Sequence, residues 1–209
     1  MAKTFWDLED LGRIPLSKSF YMRDFLHSEI AAFQRLPNVP VDVDLCVETG
    51  RRLCETILEP LQDTFGRIHI RSGYRSPSLN QFGFDNRLKC SSNAWTFADH
   101  IWDVRDGAGN AGACACIVIP WFQQRHAASD WPKLAWWLHD HVDYHRIVFF
   151  THQTSFNIGW RENPKREIYS YPAPRGVLTG PGSVPPPTDC AALYAHFPSF
   201  QGINSPLSA

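Results

Sequence analysis

The stretch Leu45–Gly73, "LCVETGRRLCETILEPLQDTFGRIHIRSG", decides the fold class. Leu45, Cys46, Leu53, Cys54, Ile57, Leu58 and Leu61 recur at helical spacing and trace one apolar face. Gly66 sits just past that run, where a helix most easily stops. Arg67–Arg71, "RIHIR", then alternates polar with apolar, the period of a half-buried strand. Upstream, "SKSFYMRDFLHSEIAAFQR" has the pattern of a capped helix with Ser19 as its N-cap, preceded by an irregular lead-in over residues 1–20. Downstream, "CACIVIP" is a buried strand, "SDWPKLAWWLHDH" a helix with Asp130 as N-cap and Pro132 in its first turn, and "RIVFF", "SFNIGW" and "REIYSY" are further strands. From Tyr171 the chain turns Pro- and Gly-rich, which predicts a surface extension ending in one short helix. Helices first, then strands with a helix between them, specify an α+β domain over 1–170 with an extension over 171–209.

Composition narrows the function. The 209 residues are 44% hydrophobic, enough for one substantial core, and the formal net charge is −1. That balance favours neither nucleic acid nor an anionic membrane. The N-terminus lacks the apolar core of a secretory signal, and no apolar run reaches the roughly 18 residues of a membrane span. The expected location is therefore cytoplasmic, unless export takes another route, with the six cysteines as free thiols. Eight Trp and fourteen Phe serve a core, or line a cleft for sugar or peptide.

The chemistry concentrates in the long loop over residues 72–113 and the strand after it. His100, Asp103 and Asp106 recur every three residues, so a helical turn would bring them to one side as a mixed imidazole and carboxylate cluster suited to Zn, Fe or Mn. The alternative is a loop pinned by carboxylate hydrogen bonds to backbone N–H groups, with Arg105 as a partner. Cys114 and Cys116 share a strand face and would bind a soft metal together with His100, act as a thiol pair, or simply fill the core. Among the remaining histidines, His152 follows "RIVFF" and is the nearest candidate for a base or ligand.

"RIHIRSGYRSPSLN", with the helices before it, resembles the zinc D-alanyl-D-alanine carboxypeptidase family, which includes the vancomycin-resistance dipeptidases and shares its fold with hedgehog signalling domains. The resemblance covers about Phe20 to Asn80 well and extends more loosely to Trp160. It implies a small antiparallel sheet with helices packed on one side, and a cleft over the sheet lined by Tyr74, Arg75, Asn80 and His100. In that family the arginine placed like Arg75 steadies the carbonyl oxygen under attack, as a planar cationic fork can. His100 matches the first zinc-ligating histidine, and Cys116 falls where the family has an aspartate. Phe150 and Ile158 fall where the general-base glutamate and the last histidine belong.

The implied function is a divergent metallopeptidase acting on peptidoglycan-type peptides. Zinc or another divalent transition metal would be held by His100 with Cys116, Asp103 or Asp106, and Arg75 and His152 would be catalytic. The alternatives are a non-catalytic descendant that binds a peptide, a cell-wall fragment or a protein partner, and a different metal-dependent enzyme on the same scaffold.

Overall fold

The computed structural model describes residues 5–152, 154–181 and 190–202. The first part of the chain is helical: α1 (Phe5–Gly12), α2 (Arg23–Leu26), α3 (Glu29–Gln34), then α4 (Val43–Leu53) and α5 (Glu59–Phe65). Within the lead-in, Phe5–Gly12 is thus a helix rather than an irregular segment. The helix expected from Ser19 onward is two short ones: Ser28 caps α3, accepting from Ala31 N–H at 3.4 Å. Ser19 is drawn elsewhere, because the buried Glu59 carboxylate takes its backbone N–H at 2.7 Å and its hydroxyl at 3.0 Å, together with the Ser17 hydroxyl at 2.7 Å. A buried carboxylate needs such donors, and this one recruits them from a segment 40 residues away in sequence.

Between α4 and α5, residues Cys54–Leu58 widen into one π-helical turn, closed by Glu59 N–H to the Cys54 carbonyl. Pro60 explains it. A proline cannot donate to the preceding turn and its ring crowds the carbonyl four residues back, so the helix opens there instead of breaking. Gly66, at φ 79°, ends the run.

β1 (His69–Ser72) follows, then α6 (Pro77–Asp85), α7 (Asn93–Thr96) and β2 (Gly112–Val118). α8 (Pro120–Arg125) and α9 (Trp131–His141) lead to β3 (Arg146–Phe149), β4 (Phe156–Arg161), β5 (Glu167–Ser170) and β6 (Gly176–Thr179). Asp130 does not cap α9 with its side chain. It accepts from Ala127 N–H at 3.2 Å and closes a single 3-10 turn ahead of the helix. The six strands form one sheet in the order β1-β2-β4-β3-β5-β6. Every described pair is antiparallel except β3 with β5, so the sheet is mixed rather than purely antiparallel.

Strand alternation sorts the sheet into two faces. Ala113, Ala115, Ile117, Ile147, Phe149, Phe156, Ile158 and Ile168 are buried in one core with Leu53, Ile57, Leu58 and Leu61 of the long helix and Leu134, Trp137 and Leu138 of α9. The opposite face carries Cys114, Cys116, Asn157, Gly159 and Arg161, and is where polar chemistry is available. Of the stretch read as an extension, residues 182–189 and 203–209 lie outside the described residues. The rest is packed: β6 pairs with β5, and Phe197 joins the core. Among the described residues, no helix is long and apolar enough to cross a membrane.

Candidate functional site

The stretch after β1 brings Arg75 and His100 together. Arg75 N–H donates to the His100 carbonyl at 2.8 Å, locking their backbones side by side. The His100 ring is buried, and its Nδ1 lies 2.7 Å from the Gly73 carbonyl oxygen. A carbonyl only accepts, so Nδ1 carries the proton. In the neutral ring Nε2 is then an acceptor, and it meets the Asn157 amide nitrogen at 3.0 Å. Both ring nitrogens are therefore committed. Burial holds the imidazole below its ordinary pKa; Asp99 opposes this, and Arg75 reinforces it.

Asn157 was not anticipated. The expected slot of the last histidine was Ile158, but Ile158 is fully buried in the core. Asn157, one residue earlier, faces the site. A signal existed: in "FNIG", apolar Phe156 and Ile158 flank Asn157, which puts the asparagine on the face away from the core.

Cys116 pairs with Asn157 across β2 and β4 and with Ser72 across β1 and β2. Burial pushes its thiol up to about 11, although Arg71 and a Ser155 hydrogen bond pull the other way. Cys114, on the same face, is raised well above its ordinary value by burial and by the adjacent Asp99 carboxylate. Neither is a ready thiolate. Arg71 donates to the Ser155 hydroxyl at 3.2 Å. Arg75 spends Nη1 on Asn80 Oδ1 at 2.9 Å and Cys90 Sγ at 3.2 Å. Neither guanidinium is directed by these bonds to a carboxylate.

The other expected site residues lie elsewhere. Tyr74 is 1% exposed, its ring against Trp102, and does not line a cleft. Asn80 is fully buried; it orients Arg75 and donates to the Asn93 side chain at 2.8 Å and the Ser91 carbonyl at 3.0 Å. Asp103 is buried beside Tyr74 and accepts from Val41 N–H at 2.8 Å. Asp106 pins its own loop. It accepts from the backbone N–H groups of Ala108 and Asn110, each at 2.9 Å, and from Arg161 at 3.3 Å. Burial disfavours its charge, but these donors outweigh that and hold it below its ordinary value. Its guanidinium partner is Arg161, not Arg105, which pairs with Glu162 at 3.0 Å. Arg161 also donates to the Ala98 carbonyl at 2.9 Å and the Phe97 carbonyl at 3.2 Å, fastening the His100 loop to β4. His152 is exposed in the β3–β4 turn, where its carbonyl, not its ring, is used: it accepts from Ser155 N–H at 3.1 Å and from the Ser155 hydroxyl at 2.9 Å.

The expected metal set of His100, Asp103, Asp106 and Cys116 is thus dispersed. Among the described residues, no three His, Cys, Asp or Glu side chains form a group that could hold a metal ion. What meets at the centre is one imidazole, one thiol and one amide. That donor set does not fit a hydrolytic zinc centre, which draws on several imidazoles, thiolates or carboxylates. Two grooves, along α4 at Val43, Val47 and Arg51 and along the edge of β1 at Ser19, Phe20 and His69, contain none of these residues.

Compared with described protein families, curated proteins and solved structures, the chain finds no match.

Proposed function

We propose that this chain is a non-hydrolytic descendant of the D-alanyl-D-alanine carboxypeptidase and hedgehog scaffold, and that it binds the carboxylate end of a peptide or cell-wall fragment. The observation that carries this reading is the hydrogen bond between Asn157 and His100 Nε2. The imidazole nitrogen that a metal would need is already satisfied, and exchanging the amide for a cation would cost a part-buried hydrogen bond. Arg75 stands beside it as a cation whose own bonds go to an amide and a thiol, and a guanidinium fork suits a terminal carboxylate. Asn80, Asn93 and Thr96 form the polar network that supports it.

The metallopeptidase reading rests on the same neighbourhood and needs His100 to release Asn157. Titration of the protein with a peptide ending in D-alanyl-D-alanine, with and without added zinc, separates the two. Expected is binding without cleavage in both conditions, with a loss of at least about tenfold in affinity for Arg75→Ala or for the C-terminal amide of the same peptide. Zinc-dependent release of D-alanine would install the hydrolase reading instead, and absence of binding would remove the binder.

A further inference from the structure

On the helix-packed side of the core, the last described segment, residues 190–202, is held by aromatic rings and histidines. Phe197 is buried among Phe65, Trp121, Phe122 and His126, with ring centroids at 6.2, 5.3, 6.1 and 5.3 Å. Tyr194 donates to Asp140 and stands edge-on to His141, Phe200 packs on Trp137 and His141, and Gln201 N–H donates to the Thr64 hydroxyl at 3.0 Å.

His126 lies at the centre of this seam. It stacks on Phe122 at 4.7 Å, and the ring of His196, from the segment itself, lies 5.1 Å away. Its Nε2 is buried without a hydrogen-bond partner. Its Nδ1 is 3.8 Å from Asp130, whose other oxygen is held by Lys133 at 3.0 Å. The charged and titratable groups around it are Arg125 on α8, Asp130 and Lys133 at the start of α9, and His196 on the segment; Asp140 and His141 sit at the Tyr194 end. Only Asp130 favours a positive imidazole. Burial, His196, Lys133 and Arg125 disfavour it, which lowers the pKa of His126.

We infer that residues 190–202 are a pH-operated clasp: proton uptake at His126, opposed in the docked state by an unpartnered Nε2 and by His196, drives the segment off α8 and α9 and uncovers the aromatic face of Phe65, Trp121, Phe122 and Trp137. Docking is linked to a neutral His126. The docked state binds fewer protons than the released one below the ordinary histidine pKa, so the docking constant falls with pH by up to about tenfold per unit for one proton. Docking is strongest above that pKa and weakens as pH drops beneath it, levelling off once the docked His126 itself takes up the proton.

Hydrogen exchange on the full chain, between about pH 7.5 and pH 5 and corrected for intrinsic rates, reads the clasp directly. Expected is loss of protection in residues 190–202 towards pH 5 while β2 and β4 remain protected. His126→Phe keeps the stack on Phe122 but cannot take up a proton, so its segment stays protected at pH 5. His196→Ala, at an exposed position, removes the facing imidazole and moves the midpoint of release to lower pH. Unchanged protection of the wild-type segment, or loss of protection only together with the whole sheet, would overturn the inference. So would a His126→Phe or His196→Ala profile that coincides with that of the wild type.

Discussion

Acid sensitivity of the folded state is the sharpest consequence of how this protein buries its histidines, and His145 allows it to be quantified. The residue is 7% exposed just before β3, and its Nδ1 accepts Lys165 N–H at 3.2 Å. Burial, then Arg161, bring its pKa from 6.5 to about 4, with Lys165 and Arg146 adding and Asp99 opposing. The unfolded chain therefore takes up a proton there near pH 6.5, and the folded chain does so only near pH 4. Stability is full above pH 6.5, declines as pH falls through that window, and levels off below pH 4. The gap is worth about 3 kcal/mol. His145→Gln keeps an acceptor for Lys165 N–H but cannot titrate. Urea denaturation of both proteins at pH 7.5 and 4.5, followed by tryptophan fluorescence, isolates the contribution, because every carboxylate titrates alike in the two. The wild type should lose about 2.5 kcal/mol more than the variant over that interval, short of the full gap because pH 4.5 lies above the folded-state value. Equal losses would show that His145 is not a buried neutral imidazole and that the reasoning is wrong.

Other perturbations test the site and its frame. Asn157→Ala leaves His100 Nε2 buried without a donor and should cost about 1–3 kcal/mol in chemical denaturation; no loss would mean the bond is not formed. Gly73→Ala would put a Cβ 2.7 Å from the Phe25 side chain, a clash costing about 1–3 kcal/mol and shifting the carbonyl that holds His100; an unchanged melting temperature would count against that packing. Trp102, fully buried and donating to the Cys114 carbonyl at 3.0 Å, should cost about 3–5 kcal/mol when replaced by Ala, read from the urea midpoint. Of six free cysteines, only Cys90 is partly exposed, so an aromatic disulfide reagent at neutral pH should titrate one thiol quickly; two or more fast thiols would contradict the burial of Cys114 and Cys116.

Local pattern was enough for some of the elements, though not for α1, α6, α7 or β6. The apolar stripe from Leu45 to Leu61 specifies the central helix, and alternation specifies β1, β3 and β4, because side-chain periodicity is set by the backbone within a few residues. Arg75 and His100, expected to share a cleft, are joined by a backbone hydrogen bond. Pairing and burial had to be decided in three dimensions. A one-residue difference in register exchanges Ile158 for Asn157 on the polar face, and the sequence carries only the weak hint of "FNIG" to fix it. Whether Asp103 and Asp106 serve a cation or their own surroundings depends on donors such as Val41 and Arg161, 62 and 55 residues away. Buried polar groups must be satisfied by whatever the fold brings within reach, and that reach is a property of tertiary contact, not of spacing along the chain.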